Sequence, residues 1–237
     1  TANTQQKDEL TLKTMLECGM HLGHGTAKWS PRMAPFIYGT RSGIHIIDLE
    51  KSLACLRQAC QVLKHLAIKP EAIILFVGCR DEQVKRLTYE VAQDCHQYYV
   101  NTRWTPGTLT NATAVLGNQM ALHHAIGADP SASTHKPTML VLLEWNEVAV
   151  AEAERSNCPT IAICDTNNDP TQITYPIPGN DDAFASVELV ARLLGRAAKC
   201  GRESAAKSQA SPDQRIVDSA DMFSKQALDQ WHPALFH

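Results

Sequence analysis

The chain reads as an α/β protein with a Rossmann-like (flavodoxin-like) parallel sheet flanked by helices. An N-terminal helix and irregular extension precede the sheet, and a C-terminal tail follows it. Three observations predict this. From residue 70 onward, short apolar runs alternate with helical segments, the rhythm of strands joined by crossover helices. The runs at 72–77, 138–143 and 160–164 are apolar without alternation, as strands buried on both faces must be. The stretch 160–182, TIAICDTNNDPTQITYPIPGNDD, passes from strand through polar turn, short extended piece and bend to a helix entry. That is how a parallel sheet closes a unit at the carboxyl ends of its strands, where ligand crevices lie.

In chain order, residues 1–7 are polar, and Leu12, Met15, Leu16 and Met20 give helical spacing for a helix ending near 19–25. Residues 26–43 hold two prolines and two glycines and cannot be one regular element. Within and after them, 36–38 and 44–47 suit a small extended pair turned at 39–43. Asp48 is placed to cap a long helix whose Leu49, Leu53, Leu56, Cys60 and Leu63 form one stripe. Then follow a strand at 72–77, a helix at 81–95, a strand at 98–100 and the loop NTRWTPGTLTN. A helix at 112–126, a surface loop at 127–137 and a strand at 138–143 come next. A helix at 146–156, the strand at 160–164 and a final helix at 182–199, capped by Asn180 or Asp181, complete the pattern. The organisation expected is 1–69 as an N-terminal unit packed on the main domain, 70–199 as the sheet core, and 200–237 as an extension. That extension has a short apolar end at 231–236.

At 237 residues the chain can bury a sizeable core. No apolar run approaches the ~18 residues of a membrane span, so no membrane partner is expected. The eight cysteines are scattered with no Cys-x-x-Cys pair, which reads as reduced thiols rather than a disulfide framework or a zinc site. The net charge of −3 conceals an asymmetry: residues 144–195 carry nine acids against two bases, whereas 26–43 carry Lys28, Arg32 and Arg41 with no acid. The acidic stretch is expected to face protein or solvent, and the basic one to suit phosphates.

Three chemistries compete for this scaffold. A nucleotide site is disfavoured, because the turn after the first core strand, Gly78-Cys79-Arg80, has one glycine and no phosphate-loop motif. His21 and His24 have a spacing a metal can use, though such a pair is more often a cap plus a packed or RNA-facing histidine, and no Cys or acid nearby in sequence completes a set. Asp165, Asp169, Asp181 and Asp182 have the oxygen donors for a structural Mg²⁺, against the plainer reading that they cap turns and a helix. RNA contact is the third. Lys28, Trp29, Arg32, Tyr38 and Arg41 mix cations with aromatics, and Asn101, Thr102, Arg103, Trp104, Thr108, Thr110 and Asn111 add hydrogen-bonding groups. Arginine forks to phosphate, amides and hydroxyls reach 2′-hydroxyls, and aromatic faces stack on bases. Trp29 and Trp104 serve equally well as core anchors.

Read together, certain blocks resemble one family. They are HLGH at 21–24, WSPRMAPFIYG at 29–39, IHIIDL at 44–49, ILFVG at 74–78, Arg103-Trp104, GTLTN at 107–111, Asp165-Thr166-Asn167, Asp169-Pro170 and YPIPGNDD at 175–182. In this order, over about residues 10–198, they resemble the second universal protein of the small ribosomal subunit. The resemblance implies a Rossmann-like scaffold without catalytic activity or cofactor, lying between head and body near the messenger exit. It implies binding to small-subunit rRNA and to neighbouring ribosomal proteins, not a homo-oligomer. The expected RNA-facing residues are Lys28, Trp29, Arg32, Arg41, Asn101, Arg103, Thr108, Thr110 and Asn111. Bacterial members carry a long helical hairpin where this chain has only residues 112–137, Thr105-Pro106 replaces a usual Leu-Gly, and Glu144 stands near a usual Asp. The short insert, acidic balance and tail look most like a mitochondrial member, located in the matrix on the mitoribosome. The readings that stand beside this one are an α/β enzyme binding a nucleotide or sugar phosphate near Asp165 and Asn180, and a protein-interaction module outside the ribosome.

Overall fold

The computed structural model describes residues 11–111 and 136–209. The expected helix at 112–126, nearly all of the loop at 127–137 and the apolar chain end at 231–236 lie outside the described residues.

Helix α1 (Leu12–Glu17) is opened by a capping box between Thr11 and Thr14. It closes earlier than its apolar spacing suggests. Gly19, at φ 75°, reverses the chain, and the N–H groups of Gly19 and Met20 return to the carbonyls of Leu16 and Met15. This is a Schellman stop. The two histidines therefore lie beyond the helix, His21 just before strand β1 (Leu22–Gly25) and His24 within it. Strands β2 (Ile37–Arg41) and β3 (Ile44–Ile47) form the expected pair, turned at Ser42-Gly43 with φ 52° and 76°. β1 joins them on the other side, giving a three-stranded antiparallel sheet in the order β1-β3-β2.

Asp48 caps α2 (Leu49–Ala67) as expected, its Oδ1 accepting from the Glu50 N–H at 3.1 Å. Strands β4 (Ile74–Val77), β5 (Tyr98–Val100), β6 (Met139–Leu142), β7 (Thr160–Cys164) and β8 (Tyr175–Pro178) make a parallel sheet of five, in the order β5-β4-β6-β7-β8. The short extended piece after the polar turn is thus a full member of the sheet. Its prolines are tolerated because β8 is an edge strand. Helices α3 (Glu82–Asp94), α4 (Glu147–Arg155) and α5 (Phe184–Gln209) provide the remaining cover. Helix α5 continues well past Lys199, so the chain is still helical where an extension was expected to begin. No proline interrupts 184–209, and its Ala, Arg, Lys and Glu content favours helix.

The two faces of the parallel sheet are covered very differently. Ile74, Phe76, Met139, Val141, Leu143, Ile161, Ile163 and Ile177 point to one side, where α2, α3 and α5 pack with Met15 and Met20. Leu75, Val77, Leu140, Leu142, Ala162 and Cys164 point to the other, where α4 is the one helix among the described residues. The rest of that face is closed by Met33 and Phe36 from a 3₁₀ turn (Pro31–Phe36), and by Trp104 and Leu109 from the 101–111 loop. Each strand alternates strictly between two apolar layers, which explains the continuous hydrophobic runs. The two irregular segments are part of the core.

On the helical face, a Cβ at Gly201 would lie 2.3 Å from the Lys64 carbonyl oxygen and 2.8 Å from the Ala67 Cβ. An exposed helix interior gains ~1 kcal/mol from Gly→Ala. Here backbone meets backbone, so the sign reverses: Gly201→Ala is expected to cost ~1–3 kcal/mol. Gly39, with open space around its Cβ position, should accept alanine with little change. Urea midpoints of the two variants check the contrast.

Candidate nucleic-acid interface

The 101–111 loop hangs on one buried side chain. Glu152, on the inner face of α4 and 3% exposed, accepts from the Gly107 N–H at 2.6 Å, the Leu109 N–H at 3.0 Å and the Trp104 indole N–H at 3.5 Å. An irregular loop against an apolar sheet must satisfy its amide groups, and here one carboxylate serves three donors. Trp104 and Leu109 then fill the core, while Asn101 is half-buried and Arg103, Thr110 and Asn111 remain at the surface. Thr108 goes the other way. It is 3% exposed, and its hydroxyl donates to the Thr105 carbonyl at 2.6 Å, so it braces the loop instead of presenting a group to RNA.

The 26–43 segment is pinned to the carboxyl ends of the strands. The Ser30 N–H donates to the Thr166 carbonyl at 2.7 Å, and Arg32 forms an ion pair with Asp169 and donates to the Thr171 hydroxyl at 3.1 Å. Arg32 is thus a surface cation with an acid already on it. Trp29 stays partly exposed with its ring 5.1 Å from that of His45. Lys28 and Arg41 are exposed and have no acidic partner among the described residues, nor does Arg103. Arg103 also lines two shallow clefts. One, of about 410 Å³, is shared with Cys79, Arg80, Lys85, Glu144, Trp145 and Asp181. The other, of about 430 Å³, is shared with Glu82, Lys85, Arg86, Tyr89, Asn101 and Thr102.

The first cleft lies at the switch point between β4 and β6, where a doubly wound sheet ordinarily holds a ligand. Glu144 occupies the key position. It is 7% exposed, and its two oxygens accept from the main-chain N–H groups of Cys79 and Arg80 at 2.7 and 2.9 Å. Those are the amides that would cradle a phosphate. Arg80 spans the crevice to Asp182 Oδ1 at 2.9 Å and to the Asp181 carbonyl at 2.9 Å.

The stretch 144–195 is therefore not a uniform acidic face. Glu144, Glu152, Asp165 and Asp181 are buried, each serving the chain's own backbone or a neighbouring cation or ring. The sequence signal for Glu152 is its place in the Ala149, Val150, Ala153 stripe of α4; for Glu144, only tertiary structure supplies one. The four aspartates also divide. Asp169 serves Arg32 and Thr171, Asp181 accepts from the Trp145 main chain, and Asp165 and Asp182 face His24, while Asn180 caps the entry to α5 by accepting from the N–H groups of Asp182 and Ala183. All eight cysteines are free thiols, and burial pushes Cys60 and Cys79 up to about 11 and Cys95 to about 12, far from thiolate character at neutral pH.

Residues 15–129 and 117–201 match the family model described as Ribosomal protein S2. The chain is 40% identical over 206 residues to the small ribosomal subunit protein uS2m of Schizosaccharomyces pombe, covering 83% of this chain and 78% of the relative. It is 36% identical over 223 residues to uS2 of Cereibacter sphaeroides strain ATCC 17029, covering 81% and 88%. To uS2 of Rickettsia akari it is 35% identical over 231 residues, covering 84% and 78%.

Two outcomes follow from the geometry. Glu152→Ala strands three donors against the sheet and should cost about 3 kcal/mol, with hydrogen exchange at Gly107 and Leu109 rising more than elsewhere. Asp181, 7% exposed, is raised from 3.8 to about 6 by burial and by the carboxylates of Asp165 and Asp182. The folded protein then holds that proton more tightly than the unfolded chain, so this residue's contribution to stability falls as pH rises from about 4 to about 6. With EDTA present, the urea midpoint of Asp181→Asn should gain on wild type across that window.

Proposed function

The chain belongs to the ribosomal protein S2 family, and from that membership we propose that it is a structural constituent of the mitochondrial small ribosomal subunit. In this role it binds small-subunit rRNA and neighbouring ribosomal proteins near the messenger exit, between head and body. The similarity to the relative named uS2m supports the mitochondrial assignment, as do the short insert at 112–137 and the extended chain end.

The observation that carries the RNA-binding reading is the shared position of the two irregular segments. Both close the same face of the parallel sheet, and both are anchored from beneath by buried acceptors, which leaves Lys28, Arg41 and Arg103 on the outer side with no acidic partner among the described residues. Lys28, Arg41 and Arg103 are the principal phosphate contacts. Trp29, Asn101, Thr110 and Asn111 add stacking and hydrogen bonds, and Arg32 reaches RNA only by sharing its contact with Asp169. Thr108 has no part in binding. Catalysis has no place in this reading, since the amides that would hold a nucleotide phosphate are taken by Glu144.

A sucrose gradient of gently lysed mitochondria tests the proposal. The protein should co-migrate with small-subunit rRNA at moderate salt and move to the top of the gradient after ribonuclease. The variant Lys28→Ala/Arg41→Ala/Arg103→Ala should fold normally but fall off at lower salt. Each lost phosphate contact reduces the dependence of log affinity on log salt by roughly 0.7–0.9. A wild-type protein that stays at the top of the gradient, free of rRNA, would refute the ribosomal role.

A further inference from the structure

The second of the two clefts lined by Arg103 lies where α3 meets the end of the edge strand β5. Cations reach it from two separate elements. Lys85 and Arg86 come from the first turns of α3, and Arg103 comes from the loop that follows β5. Glu82 is the one acid on its walls, 3.8 Å from Lys85 Nζ and 3.7 Å from Arg86 Nε. Those pairs span a single helical turn at the surface, so they are weakly held and give way to a stronger anion. Three cations against one carboxylate leave the cleft positive in a chain whose net charge is −3.

Tyr89 is what an ordinary solvated basic face lacks. It is 46% exposed, although α3 directs Val84, Leu87, Thr88, Val91 and Ala92 inward. Its ring centroid is 5.3 Å from that of Tyr99, with the planes at 86°. Tyr99 is fixed in β5 and packs against the core, so the contact sets the attitude of the Tyr89 ring. A T-shaped pair covers at most one face of either ring. The opposite wall is ordered as well. Asn101 follows directly on Val100 of β5, and Arg103 precedes Trp104, whose buried indole donates to Glu152.

These groups together select a ligand. An RNA duplex presents phosphates but keeps its bases stacked on one another, and an acidic peptide meets the cations but leaves the tyrosine face uncovered. An unpaired nucleotide offers a phosphate and a free base face at once, and its ribose adds a hydroxyl that both donates and accepts. We propose that this cleft binds an unpaired nucleotide of an RNA strand. Tyr89 stacks on the base, Lys85, Arg86 and Arg103 take the flanking phosphates, and Asn101 and Thr102 hydrogen-bond the ribose. The site rests on the RNA-binding reading and extends the interface from the two irregular segments onto α3.

The test uses the full chain and three labelled probes: a short single-stranded oligouridylate, an RNA duplex of equal length and an oligoglutamate peptide. The single strand should bind more tightly than the duplex. Tyr89→Ala should weaken single-strand binding by about five- to a hundredfold, while Tyr89→Phe, which keeps the ring, should not. Lys85→Ala/Arg86→Ala should lower the slope of log affinity against log salt by roughly 1.4, about 0.7 for each phosphate contact on a single strand. Irradiating wild type bound to a 5-iodouridine-substituted strand should cross-link Tyr89, a readout that needs no variant to fold. Single-strand binding with no cross-link at Tyr89 and unchanged affinity in Tyr89→Ala would overturn the site and leave the wider RNA-binding reading standing on Lys28 and Arg41. Wild type that binds oligoglutamate and neither RNA probe would overturn both.

Discussion

A parallel sheet has two apolar faces, and both must be hidden. In this chain the second face has one helix over it among the described residues, so irregular backbone must do the rest. Irregular backbone brings unpaired amides into a place without water, and each such group costs free energy unless something accepts from it. The rest of the structure depends on how that constraint is met. Buried oxygens from distant parts of the chain take the amides one cluster at a time: Glu152 for the 101–111 loop, Glu144 for the turn after β4, and Thr166 for the segment around His24 and Ser30.

This arrangement also links fold to function. A loop that is merely exposed presents cations in many orientations, and RNA binding must then supply the ordering. A loop held from beneath by buried acceptors and a core tryptophan is already ordered, so in the proposed RNA contact Arg103, Thr110 and Asn111 would lose less freedom. The same device fills the place where such a scaffold ordinarily holds a ligand. With Glu144 on the amides of Cys79 and Arg80, the crevice at the β4–β6 switch point holds an internal anion. A doubly wound sheet can thus serve as a platform whose outer surface, not its crevice, meets the partner.

The corner at His24 shows the same logic in another form. Thr166 supports both the histidine backbone and one oxygen of Asp165, and Arg80 supports Asp182, so three side chains from separate elements converge with little freedom left. The small antiparallel sheet is tied to the parallel sheet by such cross-links. Arg32 with Asp169, Ser30 with the Thr166 carbonyl and Asn180 with the Gly19 carbonyl are the others.

The sequence by itself determined the fold class, the hairpin at 37–47, the helix cap at Asp48 and the succession of elements through 160–182. These rest on local causes: apolar period, turn chemistry and capping act within a few residues. It also marked the two segments that carry the candidate RNA contacts, because cations beside aromatics in glycine- and proline-rich stretches are visible in one dimension. Tertiary structure decided which of those groups face outward. Thr108 turned inward and Arg32 found an acid 137 residues away. It also decided what the acids of 144–195 do, since a carboxylate on the surface and one buried on three N–H donors are written with the same letter. The donors to Glu144 and Glu152 and the acceptor of the His24 N–H lie 43 to 142 residues distant, and no local pattern encodes a contact that forms only when the sheet brings both ends together.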